Sequence, residues 1–148
     1  MNDCPQITLR IDSNLQCVRL VGLAVRGICS DLGLGQERAF CIELAVCEAV
    51  NNVIEHAYAG RSGHQVWVVV FTAPKHLTIE VKDTGMSFDI SSHVPPVPEQ
   101  NPISCAQDLP YRGRGLGIIS SIMDTWAYSK TSDGHNVLCM TKELGPWV

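Results

Sequence analysis

The chain has 148 residues and a mass of 16.2 kDa, which is room for one domain and little more. Hydrophobic residues make up 45% and charged residues 18%, which excludes a disordered or fibrous chain. Eleven Lys and Arg against fifteen Asp and Glu leave a net charge of −4, so no long-range attraction to nucleic acid or anionic lipid is expected.

Residues Gln6–Asp12 alternate Ile7, Leu9 and Ile11 with polar neighbours, which predicts a half-buried strand. Ser13 or Asn14 is placed to cap a first helix, in which Leu15, Val18, Val21, Val25, Ile28 and Leu32 recur at spacings of three and four. Gly33 and Gly35 end it, and a second helix is predicted over about 36–58. After a Gly-Arg-Ser-Gly turn, strands are predicted at Gln65–Thr72 and His76–Asp83, joined at Ala73-Pro74-Lys75. The first of these strands is apolar throughout and should be covered on both faces or lie mid-sheet.

Over 91–112 the pattern breaks down, and five of the eight prolines fall there. A loop of that length in a compact domain is usually functional, often an active-site lid, or else disordered. A glycine run at 113–117 then leads into a helix carrying Ile118, Ile119, Ile122 and Met123. Final strands over 125–131 and 136–142 flank a Ser-Asp-Gly turn. The order βααββ-lid-αββ predicts one domain over 1–148, an α/β arrangement with helices on one face of a mixed sheet.

No apolar run is long enough to span a bilayer, and the first residues lack the basic start and apolar stretch of a signal peptide. The seven cysteines form no C-x-x-C pair and are expected to be reduced, mostly buried small hydrophobes of a cytoplasmic protein. Trp67, Trp126 and Trp147 read as packing residues.

Three motifs carry chemistry. Glu48, Asn52 and His56 lie at i, i+4 spacing, which stacks carboxylate, amide and imidazole on one helix face. Taken alone they could simply line a solvated helix edge. Asp83-Thr84-Gly85 follows an apolar strand, where D-x-G often forms only a turn. Gly113, Gly115 and Gly117 let backbone N–H groups and a helix start approach an anion such as phosphate. No Gly-Lys dipeptide occurs, so this is no Walker A loop, and Ile118 stands where a Rossmann fingerprint has glycine.

In this order and separation the three motifs resemble the N, G1 and G2 boxes of the GHKL (Bergerat-fold) ATPases. The residues that carry the likeness are ELAVCEAVNNVIEHAY at 43–58, VKDTGMSFD at 81–89 and GRGLGI at 113–118. The short form is similar to the anti-sigma-factor serine/threonine protein kinases of bacterial partner-switching systems. The likeness covers nearly the whole chain and implies a two-layer α/β sandwich, three helices over a mixed, mostly antiparallel sheet. It implies ATP and Mg²⁺ as cofactors, with Asn52 as the Mg²⁺ ligand and Glu48 as the general base toward a serine hydroxyl. Asp83 would accept a hydrogen bond from the adenine amino group, with Gly85 and Phe88 beside the base. Gly113, Arg114, Gly115, Leu116 and Gly117 would hold the phosphates, under a lid at 91–112.

Two positions depart from the family pattern. The arginine expected just before the glycines is replaced by Gly113, which makes Arg112 and Arg114 the candidates to offset charge on the γ-phosphate. The threonine near the start of the last strand is replaced by His135-Asn136, where Asn136 could hydrogen-bond the nucleotide. His56 is given a structural or nucleotide-proximal role. The implied function is ATP-dependent phosphorylation of a STAS-domain anti-anti-sigma protein, together with inhibition of a sigma factor. The alternative is a nucleotide-gated binding module that regulates a partner, such as a phosphatase, without phosphoryl transfer. The family also implies a homodimer through the first strand and helix. The stripe from Leu15 to Ile28 permits that and equally suits an ordinary core.

Overall fold

The computed structural model describes residues 4–87 and 114–145. A five-stranded sheet carries three helices on one face, built in the chain order β1 (Gln6–Asp12), α1 (Leu15–Asp31), α2 (Gln36–Asn52), β2 (Gln65–Thr72), β3 (His76–Asp83), α3 (Arg114–Ile122), β4 (Thr125–Lys130) and β5 (Asn136–Glu143). The two-layer α/β sandwich expected from the sequence is what forms. Its strand order is β1-β2-β3-β5-β4, and every pairing among the described residues is antiparallel. The mixed character expected of the sheet is therefore not seen there. Tight turns join β2 to β3 and β4 to β5, and such hairpins can only pair antiparallel strands.

Register decides which side chains meet the helices. Val66, Val68 and Val70 of β2 stand opposite Ile11, Leu9 and Ile7 of β1, and Val68 and Val70 stand opposite Val81 and Ile79 of β3. Val81 and Ile79 in turn face Leu138 and Met140 of β5. These residues share one face, and most are fully buried against Val21 and Val25 of α1, Ile42, Val46 and Val50 of α2 and Ile119 of α3. Full burial of such side chains stabilises the fold by roughly 1.5–3 kcal/mol each. The apolar β2 does lie inside the sheet, between β1 and β3. Trp126 packs against this core and donates from its indole to Ser120 Oγ at 2.8 Å.

Helix ends follow local chemistry. Asn14 is the α1 cap, its Oδ1 accepting from the Gln16 amide at 2.9 Å. Ser13 instead joins the 60s turn, donating to the Arg61 carbonyl at 2.6 Å and accepting from the His64 amide at 3.1 Å. Gly33 (φ 80°) closes α1 in a Schellman motif, with the Gly33 and Leu34 amides bonded to the carbonyls of Ser30 and Cys29. The cysteine expectation needs correcting. None of the six described cysteines forms a disulfide, but only Cys29 is fully buried, four are half-buried and Cys4 is exposed. A thiol is small enough to sit at helix edges, as Cys47 does, where a Cβ on Gly22 of α1 would lie 2.5 Å from its sulfur.

Candidate functional site

Strand pairing places the first part of the site. The last β3–β5 pair is Asp83 opposite Asn136, so two polar side chains 53 residues apart end up on the helix-facing side of the sheet. Asp83 is 3% exposed and Asn136 1%, so both must find partners within the protein. Asn136 Nδ2 donates to Asp83 Oδ1 at 2.9 Å and to the Gly85 carbonyl at 3.0 Å, while its Oδ1 accepts from Ser87 Oγ at 2.8 Å. The Gly85 amide adds a second bond to Asp83 Oδ1, also at 2.9 Å. Burial raises the Asp83 carboxyl above its usual range, and the Asn136 and Gly85 donors and nearby His135 pull the other way.

The second part comes from the end of α2. The sequence predicts one continuous helix to residue 58, whereas the α-helix stops at Asn52 and Val53–Ala57 form a π-turn. The Tyr58 amide bonds the Val53 carbonyl five residues back, at 3.1 Å. Glu48 and Asn52 lie within the α-helix, whereas His56 lies in the wider turn. The turn also frees the Ala57 carbonyl to accept from the Met86 amide at 3.0 Å. A Cβ on Gly85 would collide with that carbonyl, its carbon only 2.7 Å away, so glycine is required for the backbones to approach. Tyr58 locks the junction, donating to the Gln65 carbonyl at 2.6 Å and accepting from the Thr84 amide at 3.0 Å. Its ring stacks on His64.

Between these parts lies an open, mostly apolar cleft. Asn52, Val53, His56 and Ala57 form one wall and Val81, Asp83, Met86, Tyr128 and Leu138 another, with Leu116 closing the side toward α3. A mostly apolar slot with one carboxylate at its end suits a flat heterocycle that carries a hydrogen-bond donor. The sequence predicts a glycine loop ahead of α3, yet the helix begins at Arg114 and holds Gly115, Leu116 and Gly117 within its first turn. The first four N–H groups of a helix have no partner inside it, which makes this end a place for an anion. Gly115 lies against Asn52, whose Oδ1 would be 2.8 Å from a Cβ there.

Asn52, His56, Asp83 and Leu116 thus meet in one cleft, with Gly85 and Gly115 at its edges. Asn136 lies behind Asp83 rather than in the lining. Glu48 sits on α2 one turn before Asn52, half-buried and also outside the lining. Gly117 belongs to α3. Phe88, Arg112, Gly113, the Arg114 side chain and the 91–112 segment lie outside the described residues. Met86, Tyr128, Tyr58 and Ser87 were not identified from sequence. Met86 and Ser87 lie inside a motif that drew attention for its Asp and Gly, while Tyr128 reaches the cleft only through strand register.

The described residues fit a purine nucleotide at this cleft, and they also limit how a metal could bind. Among them no three His, Cys, Asp or Glu side chains cluster as a metal site.

A family model described as a histidine kinase-like ATPase domain matches residues 11–142. The chain belongs to this family. It is 29% identical over 119 residues to the serine-protein kinase RsbW of Listeria monocytogenes (strain EGD-e), covering 80% of this chain and 76% of that one. RsbW of Bacillus cereus (strain AH820) is 29% identical over 122 residues, covering 80% and 74%. The crystal structure of the RsbU and RsbW domains of Rv1364c from Mycobacterium tuberculosis matches 93% of this chain with a TM-score of 0.63 at 17% identity, and this chain spans about 31% of that one. The SiaB–SiaC complex from Pseudomonas aeruginosa supplies a second match, with a TM-score of 0.56 at 14% identity over 92% of this chain and 89% of that one. As a histidine kinase-like ATPase domain, the chain uses ATP, which agrees with the shape and chemistry of the cleft.

Proposed function

We propose that this chain is an ATP-dependent serine protein kinase and anti-sigma factor that phosphorylates a STAS-domain anti-anti-sigma protein. The observation that carries the reading is Glu48 one α-helical turn before Asn52, on a helix whose end lines a cleft shared with Asp83. Asp83 accepts from the adenine amino group, and Gly85 lets the base lie close to the backbone. The first amides of α3 hold phosphate oxygens, and Arg112 and Arg114 offset their charge. Mg²⁺, held by the phosphates and Asn52, would neutralise the charge that develops during transfer. The Glu48 carboxylate takes the proton of the incoming serine hydroxyl.

Glu48→Gln is expected to abolish transfer of labelled phosphate to a STAS-domain substrate and to leave ATP affinity within about twofold. Retained transfer would remove Glu48 from the role of base. One observation favours the second reading, a nucleotide-gated module without chemistry: Glu48 does not line the cleft. Under that reading the parent protein binds ATP and phosphorylates no STAS-domain protein.

The same proposal includes the whole chain as one domain lidded by 91–112, a cytoplasmic location and a homodimer through β1 and α1. Among the described residues no helix is long and apolar enough to cross a membrane. Val18, Val21 and Val25 of the apolar stripe face the core, while Ile7, Leu15, Leu20 and Leu23 are exposed and supply the apolar surface for a second copy. Light scattering on Leu20→Glu/Leu23→Glu should report a monomer if that surface joins two copies.

A further inference from the structure

Asn136 stands where the sequence suggested a nucleotide contact, yet its hydrogen-bonding capacity is used inside the protein. Both Nδ2 hydrogens are committed, one to Asp83 Oδ1 and one to the Gly85 carbonyl, and Oδ1 accepts from Ser87 Oγ. The amide orientation follows from its partners, because a flipped side chain would press its oxygen against a carboxylate and a carbonyl. It is 1% exposed and outside the cleft lining. Asp83 Oδ1 receives two bonds, from Asn136 and Gly85, which leaves Oδ2 as the acceptor available to a ligand.

We propose that Asn136 is a positioning residue for base selection, clamping Asp83 so that one fixed carboxylate oxygen is offered to a 6-amino purine and discriminates against a 6-oxo purine. The inference rests on the nucleotide reading of the site and specifies which residue sets its base preference. A carboxylate only accepts, so it suits the exocyclic amino group of adenine and repels the oxygen of a 6-oxo base. A protonated or reoriented Asp83 could donate, and the preference would narrow. Asn136 opposes both changes, since its donor favours the charged form and fixes the rotamer.

Other ionisable side chains lie nearby. His56 on the π-turn and Tyr128 on β4 line the same cleft, His135 precedes Asn136, Tyr58 reaches Thr84, and Lys82 neighbours Asp83 on β3. A comparison of ATP with inosine triphosphate, which differ at the 6-position and share the triphosphate, cancels groups that act on the phosphates.

Calorimetry with both nucleotides on the parent, Asn136→Ala and Asn136→Thr tests the proposal. The parent should prefer ATP. Asn136→Ala should lose about tenfold in ATP affinity, the size expected for a lost hydrogen bond to a charged group. Its affinity for inosine triphosphate should stay within about twofold. The pH at which ATP affinity halves on acidification should rise in Asn136→Ala, because an Asp83 without that donor holds its proton to higher pH. Asn136→Thr keeps a hydroxyl donor and should recover part of the preference. It also carries the comparison if Asn136→Ala does not fold. Equal weakening of both nucleotides, or an unchanged ratio and pH profile, would overturn the proposal while the ATP site stands. A parent that binds neither nucleotide would overturn the nucleotide reading and this inference together.

Discussion

The two ends of the cleft are built on opposite terms. At the end proposed for the base, Asp83, Gly85, Ser87 and Asn136 form a closed set of hydrogen bonds anchored by strand pairing, with the two central side chains almost wholly buried. At the end proposed for the phosphates the donors are the first amides of α3, which have no partner within the helix, with the Asn52 side chain beside them where α2 widens into a π-turn. Fixed polar groups give selectivity, because a wrong base leaves a buried charge unmatched. Unspent donors give affinity for any anion of the right shape. The base end should therefore decide which nucleotide binds, and the phosphate end how tightly and how productively.

The largest effect is expected at Asp83. Asp83→Asn should cost about a hundredfold in ATP affinity, a loss of about 2.7 kcal/mol, from one charged hydrogen bond and an amide placed against two donors. Calorimetry reads it directly, and a loss below about fivefold would remove Asp83 as the base-recognising group. Two opposite pH effects accompany it. Burial raises the folded-state pKa of Asp83, so between the unfolded value near 3.9 and the raised value the native state holds a proton that the unfolded chain has released. Stability of the nucleotide-free protein from this group is full below about 3.9 and is lost as pH rises through that window. ATP affinity runs the other way, since the carboxylate is the form that accepts. Thermal midpoints against pH should show the first slope in the parent and not in Asp83→Asn.

Next comes the phosphate end. Gly115→Ala would place a methyl group against the Asn52 amide. Alanine is favoured over glycine inside a helix by about 1 kcal/mol, so stability should change little. Displacing Asn52 should instead weaken Mg²⁺-dependent ATP binding about tenfold, with a much smaller effect when Mg²⁺ is chelated. An equal loss with and without Mg²⁺ would mean that Asn52 serves the fold and not the metal.

Between these ends stands Tyr58, whose hydroxyl ties the π-turn to β2 and to the Thr84 amide. Tyr58→Phe removes three hydrogen bonds and leaves the Gln65 carbonyl and the amide and hydroxyl of Thr84 to find other partners. It should destabilise the protein by about 1–2 kcal/mol, seen as a drop of a few degrees in Tm. ATP affinity should fall less than in either preceding variant, because the tyrosine touches neither base nor phosphate.

Much of this was legible in the sequence. Alternation in Gln6–Asp12, the apolar periodicity of α1 and the glycines after it located elements whose ends the structure places close to expectation. Three ordered motifs located Asn52, Asp83 and Gly115. The π-turn was not legible, because VIEHA carries good α-helical spacing and the wider turn is selected by distant contacts: Met86 on the Ala57 carbonyl and Gly85 beneath it. The role of Asn136 was hidden for a related reason. Sequence placed it on a strand near a nucleotide motif, but only register sets it opposite Asp83 with no donor to spare. Gly115 and Gly117 read as a loop because glycine disfavours helix, and close packing on Asn52 reverses that preference at Gly115.

The smallest effect tests whether the helix layer away from the cleft is coupled to it. Arg26 Nη1 lies 3.3 Å from Glu43 Oε2 across the α1–α2 interface, with Arg26 half exposed and Glu43 largely shielded. Glu43 also faces Gly22 and, with Glu48, helps raise the Cys47 thiol to about 11, after burial as the main cause. An exposed pair of this kind contributes roughly 0–1 kcal/mol, so Arg26→Ala should lower stability by about 0.5 kcal/mol and leave ATP affinity unchanged. Glu43 and Glu48 lie five residues apart on α2, which gives the expectation a sharp alternative. If removing the arginine let Glu43 shift the helix, Asn52 would move with it, and Mg²⁺-dependent affinity would fall together with Tm. Loss of stability alone keeps the interface and the site as independent parts. Loss of both makes α2 a rigid connection from the α1 surface, where a second copy is proposed to dock, to the metal end of the cleft.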